Sequence, residues 1–480
     1  MIKKINKKFV VLFLSSLTIL LIIYNCAYNP VTGKKELSFM SESMEQKTGE
    51  QYYPFYTQVS NGLFPDKELQ EYVSQVGNSL LNHPHRRNFK YEFNVINTSV
   101  PNAYALPGGK VSITRGLLVK MQNEDQLAGV LGHEIGHINA RHTADRYTKT
   151  ILAQAVLLAG AYYLEKKNVK QSEIYIAAGF FGSQLTLLKY SRDNEREADK
   201  LGVEYMVNSG YNPQGYVELM EILKSLHDRE PSKLEAFFST HPLTSERIAD
   251  AKNLIASQYS VHSSTRDLKT QVFAEKTNIL KLTEKAYSTF DEGIALLKNK
   301  NYKEAEKKFN DAINQYNKDS LFYSYLSFTK SKLGNYRDAL NVAEKAVSLY
   351  PDFYIARLVK GIALAELKDY NNAIIELNQA NNLVASSNAT AAFYLAKSYD
   401  EIKDITKAVA SYKKVLELTE EPEMVNYAKS RLSILAPEPA PAGDGSGPQR
   451  AGLRRAGDVL RAGDGTARPA PHHHRPDPHA

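Results

Sequence analysis

Leu131-Gly132-His133-Glu134-Ile135-Gly136-His137-Ile138-Asn139-Ala140-Arg141-His142 is the stretch on which the reading of this 480-residue chain turns. It contains His133, Glu134 and His137 in an H-E-x-x-H pattern. Positions i and i+4 of a helix share one face, a turn apart. Two imidazoles so placed can reach one Zn²⁺ at about 2.0–2.1 Å. Glu134 then flanks that face, where a carboxylate can take a proton from a water on the metal. The surroundings read as a packed helix. Asn123 is an N-cap, and Glu124 and Asp125 form an acidic first turn. Leu127, Val130, Leu131, Ile135 and Ile138 recur at helical spacing. The two histidines therefore sit on a helix built into a core, not on a solvent-facing helix that pairs them by accident.

A hydrolytic zinc keeps three protein ligands and one open position. The third is sought in Ser191-Arg192-Asp193-Asn194-Glu195-Arg196-Glu197-Ala198-Asp199, an acidic helix about sixty residues on. Glu195 and Asp199 share a face and Glu197 points nearly opposite. One acid can ligate while another hydrogen-bonds the outer nitrogen of a ligand histidine. Spacing alone does not choose between Glu195 and Glu197, and a solvated charged face is the bland alternative. His241, locked before Pro242 in Ser239-Thr240-His241-Pro242, stands on a loop ahead of a short helix over 246–257. On residue type and context alone it is a structural histidine.

The N-terminus reads as an export signal over residues 1–25. A basic start is followed by the apolar run 9–24. The single cysteine, Cys26, rules out an internal disulfide and follows that run directly. It reads either as the acylated residue of a bacterial lipoprotein or as the neighbour of an uncleaved anchor, because Ile23-Tyr24-Asn25 is a poor lipobox. Both readings tether residues 26–43 at a membrane and put the body outside the cytoplasm. Of the formal charge of +7, +4 lies on Lys3, Lys4, Lys7 and Lys8 and +1 on residues 437–480, which leaves +2 for the body. Nucleic acid is excluded as a partner, since it requires a concentrated basic face.

Residues 44–256 read as one catalytic domain. Helices break near Asn61-Gly62. Then Phe89, Tyr91, Phe93 and Val95 alternate with polar residues, and a hairpin over 103–114 turns at Pro107-Gly108-Gly109. That hairpin lies just ahead of the zinc helix. It either holds an extended peptide by strand addition or only roofs the core. The apolar runs 151–164 and 174–189 are short for membrane spans and read as core helices.

The second half repeats. Tyr302, Tyr336 and Tyr370 are 34 residues apart, as are Ala305, Ala339 and Ala373, with Ala408 one residue late. Ala312, Ala346 and Ala380 keep the same period. Thirty-four is the period of tetratricopeptide helix pairs. A helical connector is expected over 257–284, four repeats over 285–436 and a disordered, Arg/Gly/Ala/Pro-rich tail over 437–480. The repeats either bind a protein partner or cap the catalytic domain.

Together these pieces resemble the zinc metalloprotease family that includes HtpX and the CAAX prenyl proteases, in an exported branch with a repeat domain. The likeness rests on Cys26-Ala-Tyr-Asn-Pro-Val-Thr-Gly33, Asn102-Ala-Tyr-Ala-Leu-Pro-Gly-Gly109, His133-Glu-Ile-Gly-His137, Ser191-Arg-x-x-Glu195-x-x-Ala-Asp199 and Thr240-His-Pro242. It implies a mainly α zincin-type domain with a small β-sheet (α+β), followed by an all-α repeat superhelix. It implies one Zn²⁺ per chain on His133, His137 and Glu195, with Asp199 behind the ligands and Glu134 as the proton-transfer residue. It places His241 near the zinc, either polarising the substrate carbonyl or closing the open position, and gives Arg247 an orienting role. It supports Cys26 as a lipid site. The implied activity is a membrane-tethered endopeptidase on unfolded or misassembled envelope proteins, with a protein partner on the repeats. The rival class is a chaperone or assembly scaffold with latent proteolysis.

Overall fold

The computed structural model describes residues 26–82, 85–86, 88–166, 190–229, 231–265 and 268–436. The expected signal, the 174–189 run and the tail after 436 lie outside these residues. Two short strands, β1 (Cys26–Tyr28) and β2 (Lys35–Leu37), pair antiparallel around the Pro30–Gly33 turn. Two helices follow, α1 (Glu42–Val59) and α2 (Lys67–Ser79). Ser41 and Asp66 cap them by accepting from Met44 N and Leu69 N. Each cap is worth about 1 kcal/mol.

Three strands form the main sheet: β3 (Glu92–Ile96), β4 (Ala103–Leu106) and β5 (Lys110–Thr114). The order is β3-β5-β4, with β3 parallel and β4 antiparallel to β5. The hairpin turn is made possible by Gly108 and Gly109, whose φ of 76° and 88° lie in the left-handed region. All of β5 is buried, whereas β4 lies at the sheet edge beside the helix that carries His133.

After a short turn of helix, α3 (Arg115–Leu118), comes α4 (Glu124–Asn139), the helix read from the sequence. Asn123 caps it as expected, accepting from Gln126 N, and every residue of α4 is buried. Helix α5 (His142–Lys166) begins almost at once, across Arg141, whose φ is +59°. It includes the apolar run 151–164. Then come α6 (Arg192–Asn208), α7 (Gln214–Arg229), α8 (Pro231–Thr240) and α9 (Ser245–Gln258). No described helix is long and apolar enough to cross a membrane.

Two short helices, α10 (Ser260–Thr265) and α11 (Thr270–Lys276), lead to an unbroken α12 (Asn278–Lys298). Helix α12 pairs with α13 (Tyr302–Gln315), α14 (Ser320–Lys332) with α15 (Tyr336–Leu349), and α16 (Tyr354–Glu366) with α17 (Tyr370–Leu383). Helix α18 (Ala389–Glu401) pairs with α19 (Ile405–Leu418), and α20 (Pro422–Leu435) covers the end. The periodic tyrosines each open the second helix of a pair. The periodic alanines are buried to within 1% at every position, because only a methyl fits where the paired helices cross. Ala408 is late because the turn from α17 to α18 carries one extra residue, with Ala385 and Ser386 both at positive φ.

The N-terminal and repeat-side halves are not separate cores. One hydrophobic cluster runs from Phe64 through Leu131 and Tyr216 to Phe290, Phe322 and Val359. Polar groups lock the same junction. Gln58 bonds the backbone of Asp352 and Tyr354, while Asn97 and Tyr287 both donate to the buried Asp319. Arg115 lies 3.5 Å over the Tyr287 ring. Smaller clusters hold the outer repeats.

Candidate metal centre

Helices α4 and α6 approach more closely than ordinary side chains permit. A Cβ on Gly202 would stand 2.9 Å from His133 N, and one on Gly136 would stand 3.0 Å from Ala198 O. Glycine at these two positions lets the backbones close, and closure brings the acids of α6 under the histidines of α4.

His133 Nε2 and His137 Nε2 face each other at 3.0 Å. Glu195 Oε2 is 3.7 Å from the first and Oε1 is 3.5 Å from the second. His241, carried in by the end of α8, puts Nδ1 3.3 Å from Glu195 Oε1 and Nε2 3.7 Å from Glu134 Oε1. His133, His137, Glu195 and His241 thus offer four ligand atoms within 4.8 Å of one another, and all four residues are buried. Two buried carboxylate oxygens, Glu134 Oε2 and Glu195 Oε2, lack a hydrogen-bond partner. The latter lies 2.5 Å from Arg247 Nη1, an ion-pair distance without hydrogen-bond geometry. Two facing imidazole nitrogens with the Glu195 carboxylate beside them suit a divalent cation, and the N/N/O donor set suits zinc among others.

Behind the donors the outer nitrogens are held. His133 Nδ1 meets Asp199 Oδ1 at 3.0 Å and the Tyr216 hydroxyl at 3.1 Å. Tyr216 donates to Asp199 at 2.5 Å, and Arg247 donates to both Asp199 oxygens at 2.8 and 2.6 Å. His137 stacks on Tyr190, with ring centroids 3.9 Å apart. Its Nδ1 meets His142 Nδ1 at 2.8 Å, and His142 Nε2 meets Glu197 Oε2 at 3.1 Å.

The electrostatics follow from burial and neighbours. Burial pushes the Glu134 carboxyl up, against the pull of His241 and His133. Burial would raise Glu195 too, but His241, His133 and Arg247 outweigh it and hold its carboxyl below the ordinary value. Burial, with His133 and His142 nearby, drives His137 well down, towards the neutral ring a metal requires. His241 is raised because Glu134 and Glu195 overcome its burial.

All seven residues proposed for the site from sequence (His133, Glu134, His137, Glu195, Asp199, His241 and Arg247) gather here. Cys26 opens β1 and is not part of the cluster. Glu197 does not face the metal donors; it turns to His142. Sequence reasoning missed His142, Tyr190 and Tyr216. His142 had a signal, a third histidine in the same stretch, five residues after His137. Tyr216, brought in by α7, had none.

A groove of about 590 Å³ runs along the β4 edge, past Tyr52, Tyr56 and Tyr104, to Tyr190 and His241. The Ala105 backbone amide faces Glu134.

A buried His/His/Glu centre with a carboxylate beside it, on helices next to an open strand edge, defines a metallopeptidase class of site. The model of peptidase family M48 matches residues 65–255, and tetratricopeptide-repeat models match 330–381 and 390–418. Metalloprotease YcaL of Escherichia coli K12 is 30% identical over 193 residues, 40% of this chain and 70% of that protein. The beta-barrel assembly-enhancing protease of the same strain is 30% identical over 228 residues, 47% of this chain and 46% of that protein. Mitochondrial metalloendopeptidase OMA1 of Schizosaccharomyces pombe is 29% identical over 223 residues, 46% of this chain and 64% of that protein. The chain belongs to peptidase family M48. It spans about half the length of the beta-barrel assembly-enhancing proteases that it matches.

Proposed function

We propose that this protein is a zinc endopeptidase that cuts polypeptides bound as a strand along β4. The observation that carries the reading is the convergence of His133, His137 and Glu195 on one point, with Glu134 beside it. One Zn²⁺ per chain on these three residues would make a water nucleophilic near pH 7 and polarise the scissile carbonyl. Glu134 takes the proton of the attacking water and returns it to the leaving amine. Its raised pKa suits a group that must do both. Asp199, fixed by Arg247, holds His133 in the ligating orientation. The unpaired side of β4 offers backbone groups to an extended substrate, which favours unfolded over folded protein.

The names of the relatives and the leading apolar run support a tethered envelope enzyme acting on misassembled proteins, in the periplasm and anchored at Cys26 or by an uncleaved signal. On that reading residues 44–256 are catalytic, 257–284 a connector and 285–436 repeats that receive a protein partner. One observation favours a second reading: His241 supplies a fourth donor. Four protein ligands close a zinc site. A chain resting in that state would be a latent protease, with its repeats serving as a scaffold.

The test compares cleavage of an unfolded protein by wild type and Glu134→Gln, with zinc measured in both. Cleavage lost only in the variant, with one zinc retained in each, is expected. Equal cleavage by both would sink the assignment of Glu134.

A further inference from the structure

A neutral imidazole carries one N–H and one lone pair. His137 therefore has two arrangements within the observed geometry. With its proton on Nε2 it donates to His133 Nε2, 3.0 Å away, and cannot ligate. With its proton on Nδ1 it donates to His142 Nδ1, 2.8 Å away, and leaves Nε2 free for a metal. The second arrangement requires His142 to accept at Nδ1 and so to carry its own proton on Nε2. That nitrogen lies 3.1 Å from Glu197 Oε2, and an ionised carboxylate only accepts.

We propose that Glu197, acting through His142, holds His137 in the one tautomer that can bind the metal. Neither residue touches the metal donors of the other ligands, so both are positioning residues. The proton changes place along the pair, not number. The arrangement is asymmetric within the site: His133 has its carboxylate, Asp199, in direct contact, whereas the carboxylate of His137 acts through an intervening ring. Local geometry explains why His142 can intervene. Helix α4 ends at Asn139, and Arg141 at φ +59° turns the chain sharply, which lays the first residue of α5 against His137. His142 is 2% exposed, so no water competes for its Nδ1. The Glu197 side chain is 32% exposed, so it can be replaced without opening the core.

The inference rests on the zinc reading above, and its test reads metal affinity rather than activity. Zinc dissociation constants of the full chain are measured by competition with a chromophoric chelator. The variants are Glu197→Ala, Glu197→Gln and Glu197→Lys, each also made in a His142→Phe background. Loss of a group behind a ligand histidine weakens metal binding by about 10–100-fold. Glu197→Ala is expected near the lower figure and Glu197→Gln, which still accepts, close to wild type. Glu197→Lys, which can only donate and so imposes the wrong tautomer, is expected at or beyond the upper figure. With Phe at 142 the three substitutions should differ by less than about twofold from Glu197, since nothing is left to relay. Melting of the metal-free proteins checks that each folds. Wild-type affinity in Glu197→Ala, or a Glu197→Lys effect undiminished by His142→Phe, would overturn the relay. Failure of the wild type to bind zinc would overturn the metal reading itself, which is a separate result.

Discussion

Arg247 grips Asp199 with two nitrogens, Nε at 2.8 Å and Nη2 at 2.6 Å, and the pair is buried directly behind His133. Burial alone would raise the Asp199 carboxyl; the Arg247 bonds and the contact with His133 outweigh it and hold the carboxyl well below the usual range. An acid depressed in this way contributes stability above its unfolded value of about 4, and the contribution is lost as pH falls towards its folded value. In chelator-treated protein, Asp199→Asn should therefore flatten the acid limb of stability against pH below about pH 4, by up to about 1.4 kcal/mol per pH unit. At neutral pH the same change leaves the buried guanidinium with Glu195 as its remaining carboxylate and weakens two charge-assisted hydrogen bonds, which should cost about 1–3 kcal/mol. Urea unfolding over a pH series measures both, and parallel curves for the two proteins would refute the assignment.

The seam between α4 and α6 makes a different demand. Gly202→Ala puts a methyl 2.9 Å from His133 N, and backbone cannot yield as a side-chain end does. The helices must part by a few tenths of an ångström. A cost of about 1–3 kcal/mol is expected, as for overpacking elsewhere. Zinc affinity should fall with it, because Glu195 moves with α6 while His133 and His137 stay on α4. A variant destabilised yet unchanged in zinc affinity would show that the seam does not set the ligand geometry.

Gln58 tests the junction. Its amide donates to the Asp352 carbonyl at 2.6 Å and accepts from Tyr354 N at 2.9 Å. Gln58→Glu keeps the size but loses the donor and buries a charge against a carbonyl, so about 2–3 kcal/mol should be lost. Because the core is continuous through Val359, hydrogen exchange should then quicken in α12, α14 and the start of α16 together with α1. Faster exchange confined to the repeats would mean that the two halves open independently.

Helix α4 was legible because several local signals agree there: a cap, an acidic first turn, an apolar stripe and two histidines a turn apart. The repeats were legible because the same packing constraint recurs at Ala305, Ala339 and Ala373. The choice of Glu195 over Glu197 was not legible from spacing. It depends on how close α6 lies to α4 and on where α5 restarts, and neither is written in the period of α6. His142 stood in view five residues after His137, but helical spacing does not bring it against that ring; the left-handed turn at Arg141 does, on a residue type that gives no hint of it. The parallel pairing of β3 with β5 is a long-range contact that the local alternation of each strand cannot register, and Gln58, which clasps the repeat backbone, looks like an ordinary surface polar group in the sequence.

The N-terminal hairpin is tied to the end of α4 and the start of α5. Asn29 reaches the Ala140 carbonyl, Arg141 bonds the Met40 carbonyl, and Phe39 N bonds Thr148 on α5. Residues 26–40 are thus stitched to the very turn that seats His142. There is little slack in that stitching: a pull on residue 26 would arrive within a few bonds at the end of α4.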